Sequence, residues 1–367
     1  MKIVKRLLLL AVLFALAAGA GAWVVYQRVQ QPFRGFDGPE QFVEIAPGTG
    51  ASTIGARLAE AGVVRDARTF RVALWLSGRG RELKAGEYRF DREATPFEVI
   101  DRIARGDVYK RLITFREGLT IPEMAQVFEE RGFGAAAEFE QAAKNASLIA
   151  DLDSEATDLE GYLFPETYAL PRGTSAAELV TQMVGLFKRL YAEPLRAEAA
   201  AAGFSTRQIV TLASLVEKET ARREERPLVA AVYRNRLKVG MGMQADPTVV
   251  YALLKAHRYD GNIRRDDLSM DSPYNTYKYA GLPPGPIASP GKASLEATLA
   301  PADAPYLYFV SRNDGSHVFA ETLDEHNANV RKFQIDFFRQ QRQANAASAR
   351  PTSTSRAAAR SSRARVP

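Results

Sequence analysis

The hydrophobic residues of the chain come first as one unbroken block and afterwards as short periodic bursts. The block is LLLLAVLFALAAGAGAWVVY, Leu7 to Tyr26, without a single charge. About 20 apolar residues make about 30 Å of helix, enough for one bilayer crossing. Lys2, Lys5 and Arg6 precede it, and Trp23 and Tyr26 close it. That order predicts a transmembrane helix over 7–27, with residues 1–6 cytoplasmic and the remainder exported. The small residues around 17–22 also suit a cleaved signal peptide, but the length of the block and its Trp-Val-Val-Tyr end favour an anchor. Residues 28–40, with Pro32, Gly35 and Gly38, read as a tether.

Beyond the tether, two periods alternate. QFVEIAP (41–47) predicts a strand, and Ile54, Leu58 and Ala61 share one face of a short helix. Residues 67–77 predict a second helix and 83–90 a turn and strand. Thr95 as cap, Pro96 in the first turn and Gly106 at the end frame a helix over 95–106. A strand over 110–118 follows, so residues 41–115 form a small α+β module. Residues 121–132 predict a helix, and the Ala- and Glu-rich stretch 135–160 is predicted helical. LEGYLFPETYAL (159–170) breaks the helical period. Residues 175–195 predict a long amphipathic helix. Ser205 and Gln208 form a capping-box signature that opens a helix over 206–222. Helices are predicted over 225–240 and over 246–255, the latter capped by Asp246. A Pro/Gly/Tyr-rich loop spans 270–292, longer than a plain connector. PYLYFVSRNDGSHVFA (305–320) predicts a hairpin around Asn-Asp-Gly. Thr322 and Glu325 open a last helix to about Gln343. The tail, 344–367, has no apolar period and reads as disordered and basic.

Composition narrows the chemistry. Without cysteine there is no disulfide, thiolate nucleophile or Cys-bound zinc. The three histidines, His257, His317 and His326, are scattered and form no H-E-x-x-H motif, so no metal site and no cofactor are expected. Net charge is +6, and part of that excess lies in the acid-free stretch from Arg350 to Pro367, so no nucleic-acid partner is implied. Neither G-x-S-x-G nor a phosphate-binding glycine loop occurs in a strand-to-helix context.

Two features remain. In TLASLVEKET (211–220), Ile209, Leu212, Ala213 and Val216 form a buried helix stripe. Glu217 and Glu219 fall on opposite flanks of it, while Lys218 points outward. A carboxyl against apolar neighbours is favoured in its neutral form, as a general acid must be. Glu217, one turn after Ala213, is the candidate; Glu219 is the runner-up acid, with an ion pair to Arg222 or Arg223 as its expected role. The second feature is aromatic. SPYNTYKYAGLPPGP (272–286) carries Tyr274, Asn275, Tyr277 and Tyr279, and LEGYLFPETY carries Glu160, Tyr162, Phe164, Glu166 and Tyr168. Flat rings beside amides and carboxylates suit carbohydrate. The same patterns also occur as solvated helix faces and as loops that merely turn.

Taken together, TLASLVEKET, YRNRL (233–237), MGMQADPTVVYAL (241–253), SPYNTYKYAGLPPGPIASPG (272–291) and PYLYFV…HVFA…HN resemble the YceG-like endolytic murein transglycosylase family, over residues 1 to about 340. The resemblance implies an α+β chain: an N-terminal transmembrane helix, a LysM-like module over 41–115 and a mainly helical catalytic domain over 116–343 with a small β-hairpin. It implies cleavage of peptidoglycan glycan strands from the inner membrane, with the active domain periplasmic and peptidoglycan synthases as possible partners. It assigns catalysis to Glu217 and substrate binding to Tyr162, Glu166, Asn235, Gln244, Asp246, Thr248, Tyr274, Asn275 and Tyr277. A lone acid suffices if the sugar's own C6 hydroxyl attacks C1, giving a 1,6-anhydro end. The alternative is an anchored peptidoglycan-binding or scaffold protein without catalysis.

Overall fold

The computed structural model describes residues 2–348, so the part of the basic tail beyond Ser348 lies outside the described residues. The secondary structure is mixed and mostly helical, and its strands occur only in two-stranded sheets. The chain divides into two compact units, residues 1–113 with 168–174, and residues 114–167 with 175–367.

The first unit begins with α1 (Lys2–Gln30). Residues Leu7–Gln30 of this helix are long and apolar enough to cross a membrane, and large apolar side chains along it, among them Leu7, Phe14, Leu16, Trp23 and Tyr26, are exposed. Next come β1 (Gln41–Ile45), α2 (Ala51–Glu60), α3 (Ala67–Ser77), β2 (Gly86–Phe90) and α4 (Pro96–Arg105). β1 and β2 pair antiparallel, with Val43 opposite Tyr88. β3 (Lys110–Thr114) pairs with β4 (Thr167–Pro171), through which a distant stretch of chain returns to this unit. Val43, Ile54, Leu58, Phe70, Leu74, Tyr88 and Ile100 fill the core. Thr95 caps α4 and Gly106 ends it in the left-handed conformation, as the sequence predicts, and Glu98 completes a reciprocal capping box with Thr95.

The second unit contains α5 (Ile121–Glu130), α6 (Ala136–Ala143), α7 (Ala176–Leu190), α8 (Glu193–Ala201), α9 (Thr206–Glu219), α10 (Arg226–Lys238), α11 (Asp246–Lys255) and α12 (Lys292–Leu299). After α12 come the hairpin β5 (Tyr308–Ser311) and β6 (His317–Ala320), then α13 (Leu323–Val330), a π-helical stretch Arg331–Asp336 and α14 (Phe337–Ser348). α9 is central, packed by α10 and α12 around Leu212, Leu215, Val216, Val229, Tyr233 and Ile287. Gly161 adopts φ 84°, and a Cβ there would meet Pro286 at 2.4 Å, so the 159–164 turn sits directly on the Pro-rich loop.

Several expectations are corrected. Only Ala136–Ala143 and a 3-10 turn at Ala146–Leu148 are helical within 135–160. Asp153 and Asp158 instead accept hydrogen bonds from the backbone of Glu155 and Glu160, the local competition by which Asp ends helices. The predicted 175–195 helix stops at Leu190 and restarts as α8, with Pro194 in its first turn. Asp246 does not cap α11: it is the first helical residue and accepts a hydrogen bond from the Tyr277 hydroxyl. The last helical run continues to Ser348 instead of stopping near Gln343.

Candidate active site

α9 is opened by a complete capping box between Ser205 and Gln208, which fixes its first turn. Its stripe from Ile209 to Val216 is buried. At its last turn the two glutamates diverge, as their 200° separation at 100° per residue requires, and they enter different environments.

Glu217 is tied up on both oxygens. Oε1 lies 2.7 Å from Arg226 Nη2, while Oε2 accepts from the Gly291 N–H at 2.9 Å and the Ser294 hydroxyl at 2.8 Å. The side chains of Glu217 and Arg226 are only 5% and 4% exposed. Burial pushes the Glu217 carboxyl up, and Gly291, Arg226 and Ser294 oppose that rise. Arg226 also reaches Glu117 at 3.2 Å. An open groove of about 630 Å³ runs past this cluster, lined by Arg116, Glu117, Glu166, Lys218 and others. Glu217 lines it too, but its oxygens are engaged with the protein.

Glu219 has the opposite character. Tyr233, fully buried, donates its hydroxyl to Oε1 at 2.8 Å. Oε2 accepts no hydrogen bond among the described residues, and the residue as a whole is half-buried, as Glu217 is. Burial pushes its carboxyl up to about 7, with the Asp246 charge adding to the rise and Tyr233 and Arg236 opposing it. Around it, Tyr277 donates to Asp246 Oδ1 at 2.6 Å. Tyr277 is 38% exposed, and Gln244 and Asp246 are exposed as well. Gln244 takes a left-handed φ of 49°, and its N–H donates to the Thr276 carbonyl, which holds the 242–246 turn against the tyrosine loop. Arg236 donates to the carbonyls of Leu307, Gly242 and Met243, joining that turn to the hairpin.

The two glutamates thus have the reverse of the surroundings that the sequence suggests. The expected Glu219 ion pair is absent among the described residues: Arg222 pairs with Glu224 and donates to the carbonyls of Gly315 and Asp314. The ion pair belongs to Glu217. Tyr233 and Arg236 are missed by the sequence reading, although both lie in or beside the YRNRL motif. No spacing signal separates the two acids: Glu217 follows the buried Ala213 and Ser214, and Glu219 the buried Leu215 and Val216, by four and three residues alike.

Of the remaining predicted residues, Tyr277, Gln244 and Asp246 are exposed beside Glu219. Tyr274 is half-buried, 4.9 Å from the Tyr251 ring. Tyr162, Thr248 and Asn275 are buried and internally bonded, so their place is in the framework. Tyr162 donates to Asp153, and Thr248 donates to the Ala245 carbonyl and shares a hydrogen bond with Thr276. Asn275 donates to the carbonyls of Leu268 and Met270 and accepts from the Tyr277 N–H. Asn235 donates to the carbonyls of Ala304 and Tyr306. Glu166 is exposed in the groove beside Glu217, away from the Tyr277 cluster. Asn275→Ala would leave two part-buried carbonyls without their donor and release the Tyr277 N–H. We expect a loss of about 2 kcal/mol in a denaturant melt, together with impaired turnover.

Comparison with known proteins follows the same residues. The YceG-like family model matches residues 43–332. An endolytic murein transglycosylase of Bacillus subtilis is 31% identical over 306 residues, 79% of this chain and 84% of its own. One from Streptococcus pneumoniae is 29% identical over 363 residues, 89% of this chain but 65% of its own. The crystal structure of a YceG-like protein from Listeria monocytogenes superposes with a TM-score of 0.54 at 31% identity, covering 79% of this chain and 98% of that one.

Proposed function

The chain belongs to the YceG-like family, and from that membership we propose that it is an endolytic lytic transglycosylase that cuts peptidoglycan glycan strands, with Glu219 as its acid and base. The observation that carries the assignment is a carboxyl that burial raises to about 7, so that it is half protonated at pH 7, oriented by a buried tyrosine hydroxyl, with exposed Tyr277 and Asp246 as neighbours and exposed Gln244 in the turn before Asp246. Tyr277 offers a ring face to the sugar, while Gln244 and Asp246 supply hydrogen-bonding groups for its hydroxyls.

The chemistry needs one proton donor. Glu219 gives its proton to the bridging oxygen as the bond from C1 of N-acetylmuramic acid to that oxygen breaks. The C6 hydroxyl of the same sugar attacks C1, and its proton passes to the Glu219 carboxylate, which restores the acid. No water is consumed, so the second carboxylate that a hydrolase uses to activate water or to attack is not required. Tyr233 orients the Glu219 carboxyl throughout.

A general acid works only in its neutral form. Below pH 7 Glu219 holds its proton, and above it the proton is lost. We therefore expect kcat/KM to fall through a single ionisation near pH 7 as pH rises. A rate flat from pH 6 to 9 would remove Glu219 from the role. Digestion of purified glycan strands with mass analysis separates enzyme from scaffold: the enzyme shortens strands and leaves 1,6-anhydro ends, whereas a binder leaves their length unchanged.

The location follows from α1. We propose that it anchors the chain in the inner membrane with the remainder periplasmic, where cutting nascent strands would end their elongation beside a synthase. Residues 41–115 are proposed as the LysM-like module, a reading supported by their β1–α2–α3–β2 order with antiparallel strand pairing.

A further inference from the structure

Helix α3 has an exposed face that nothing in the first unit covers. Its inner face, Thr69, Phe70, Ala73 and Leu74, is buried. Its outer face carries Arg68, Arg71, Trp75 and Leu76, with Trp75 80% and Leu76 51% exposed. At 100° per residue, Arg68, Arg71 and Trp75 fall within about 60° of one another, with Leu76 adjoining them. The helix contains no acidic residue, and Arg68 and Arg71 form no ion pair among the described residues. A folded domain seldom leaves a tryptophan this bare on a purely basic face.

The same helix is tied to the candidate membrane span. α1 packs against α3 and α4. Val29 is fully buried in the core that Phe70 and Leu74 also build. The apolar run of α1 ends at Tyr26, three residues before Val29, which is about 5 Å along a helix. The 11 residues of α3 span about 16 Å. If α1 crosses a bilayer, the outer face of α3 therefore lies within reach of the headgroup layer.

We propose that α3 is an interfacial helix: Trp75 and Leu76 enter the headgroup region of the bilayer that α1 crosses, and Arg68 and Arg71 bind anionic lipid phosphates. Tryptophan and arginine on one face of a short helix are the side chains that this layer selects. The contact fixes the first unit against the membrane surface, so that it does not swing on the span.

The sequence supplies its own probe, because Trp23 and Trp75 are its only tryptophans. Full-length Trp23→Phe protein, reconstituted in vesicles of mixed phosphatidylcholine and phosphatidylglycerol, reports Trp75 alone. The expected result is blue-shifted emission, quenching by bromolipids and protection from aqueous acrylamide. The docked-to-free ratio should fall about 5-fold for each of Arg68→Gln and Arg71→Gln, and about 25-fold in pure phosphatidylcholine, where both arginines lose their partner. Trp75→Phe protein, reporting Trp23, checks insertion of the span independently of α3. If Trp23 is quenched by bromolipid while Trp75 emits as a water-exposed indole, the proposal is overturned. If neither is quenched, the span itself fails, and the proposal with it. Protection of Trp75 by added glycan but not by lipid would likewise overturn it.

Discussion

Glu219→Gln removes release of 1,6-anhydro ends, lowering turnover by about 10²–10⁴-fold while the protein still folds. The amide keeps the shape of the side chain, and its oxygen still accepts the Tyr233 hydroxyl, so the local packing survives. What is lost is the proton that the proposed mechanism passes to the glycosidic oxygen. Circular dichroism and a thermal melt of the variant establish folding, and product analysis on purified strands reads the chemistry. Wild-type turnover by this variant would refute the assignment. Glu217→Gln should behave in the opposite way, losing stability while its folded fraction still produces anhydro ends.

Arg226→Met carries the second large effect. Glu217 and Arg226 are a buried pair, and removing the cation leaves a carboxylate inside with only the Gly291 N–H and the Ser294 hydroxyl. Breaking such a pair from one side costs about 3–5 kcal/mol, a drop of about 10 °C in the melting temperature of a domain this size. The double variant Glu217→Met/Arg226→Met removes both charges and should recover most of that loss, because a well-packed apolar replacement of a buried ion pair is often close to neutral. Equal melting of Arg226→Met and wild type would show that the pair is not buried as described. The cycle also bears on function: if the double variant keeps activity, Glu217 is a structural residue.

Local signals carried most of the fold. Thr95 with Glu98, Ser205 with Gln208, and Thr322 with Glu325 mark helix starts that the structure has in place, because a capping box is satisfied within four residues. The hairpin was equally legible, and Tyr308 pairs with Ala320 around the Asn-Asp-Gly turn. α12 was not foreseen. Lys292–Leu299 is rich in small residues and has no apolar period, and its burial against α9 depends on residues some 75 positions away. The return of residues 168–174 to the first unit is likewise set by pairing with a distant strand.

The site was legible in part. The sequence placed two glutamates on diverging flanks of a buried helix and a tyrosine loop suited to sugar. It did not determine which glutamate meets the loop. That depends on Arg226, Gly291 and Ser294 closing around Glu217, and on Tyr233 reaching Glu219 from α10. No spacing rule within TLASLVEKET encodes contacts of that range. The buried Asn275 in the tyrosine loop and Thr248 on α11 show the same limit: polar residues read as ligand groups until their hydrogen bonds are seen to point inward.

The central claim is that burial raises the Glu219 carboxyl far enough to keep about half of it protonated at neutral pH, and the measurement closest to it is a titration of that group by itself. Carboxyl-13C-labelled glutamate, with the Glu219 signal identified by its disappearance in Glu219→Gln protein, gives the midpoint by NMR. A midpoint near 7 is the result expected from the burial of this side chain. A midpoint in the ordinary glutamate range, about 4.3, would mean that Glu219 is ionised at neutral pH and cannot be the proton donor.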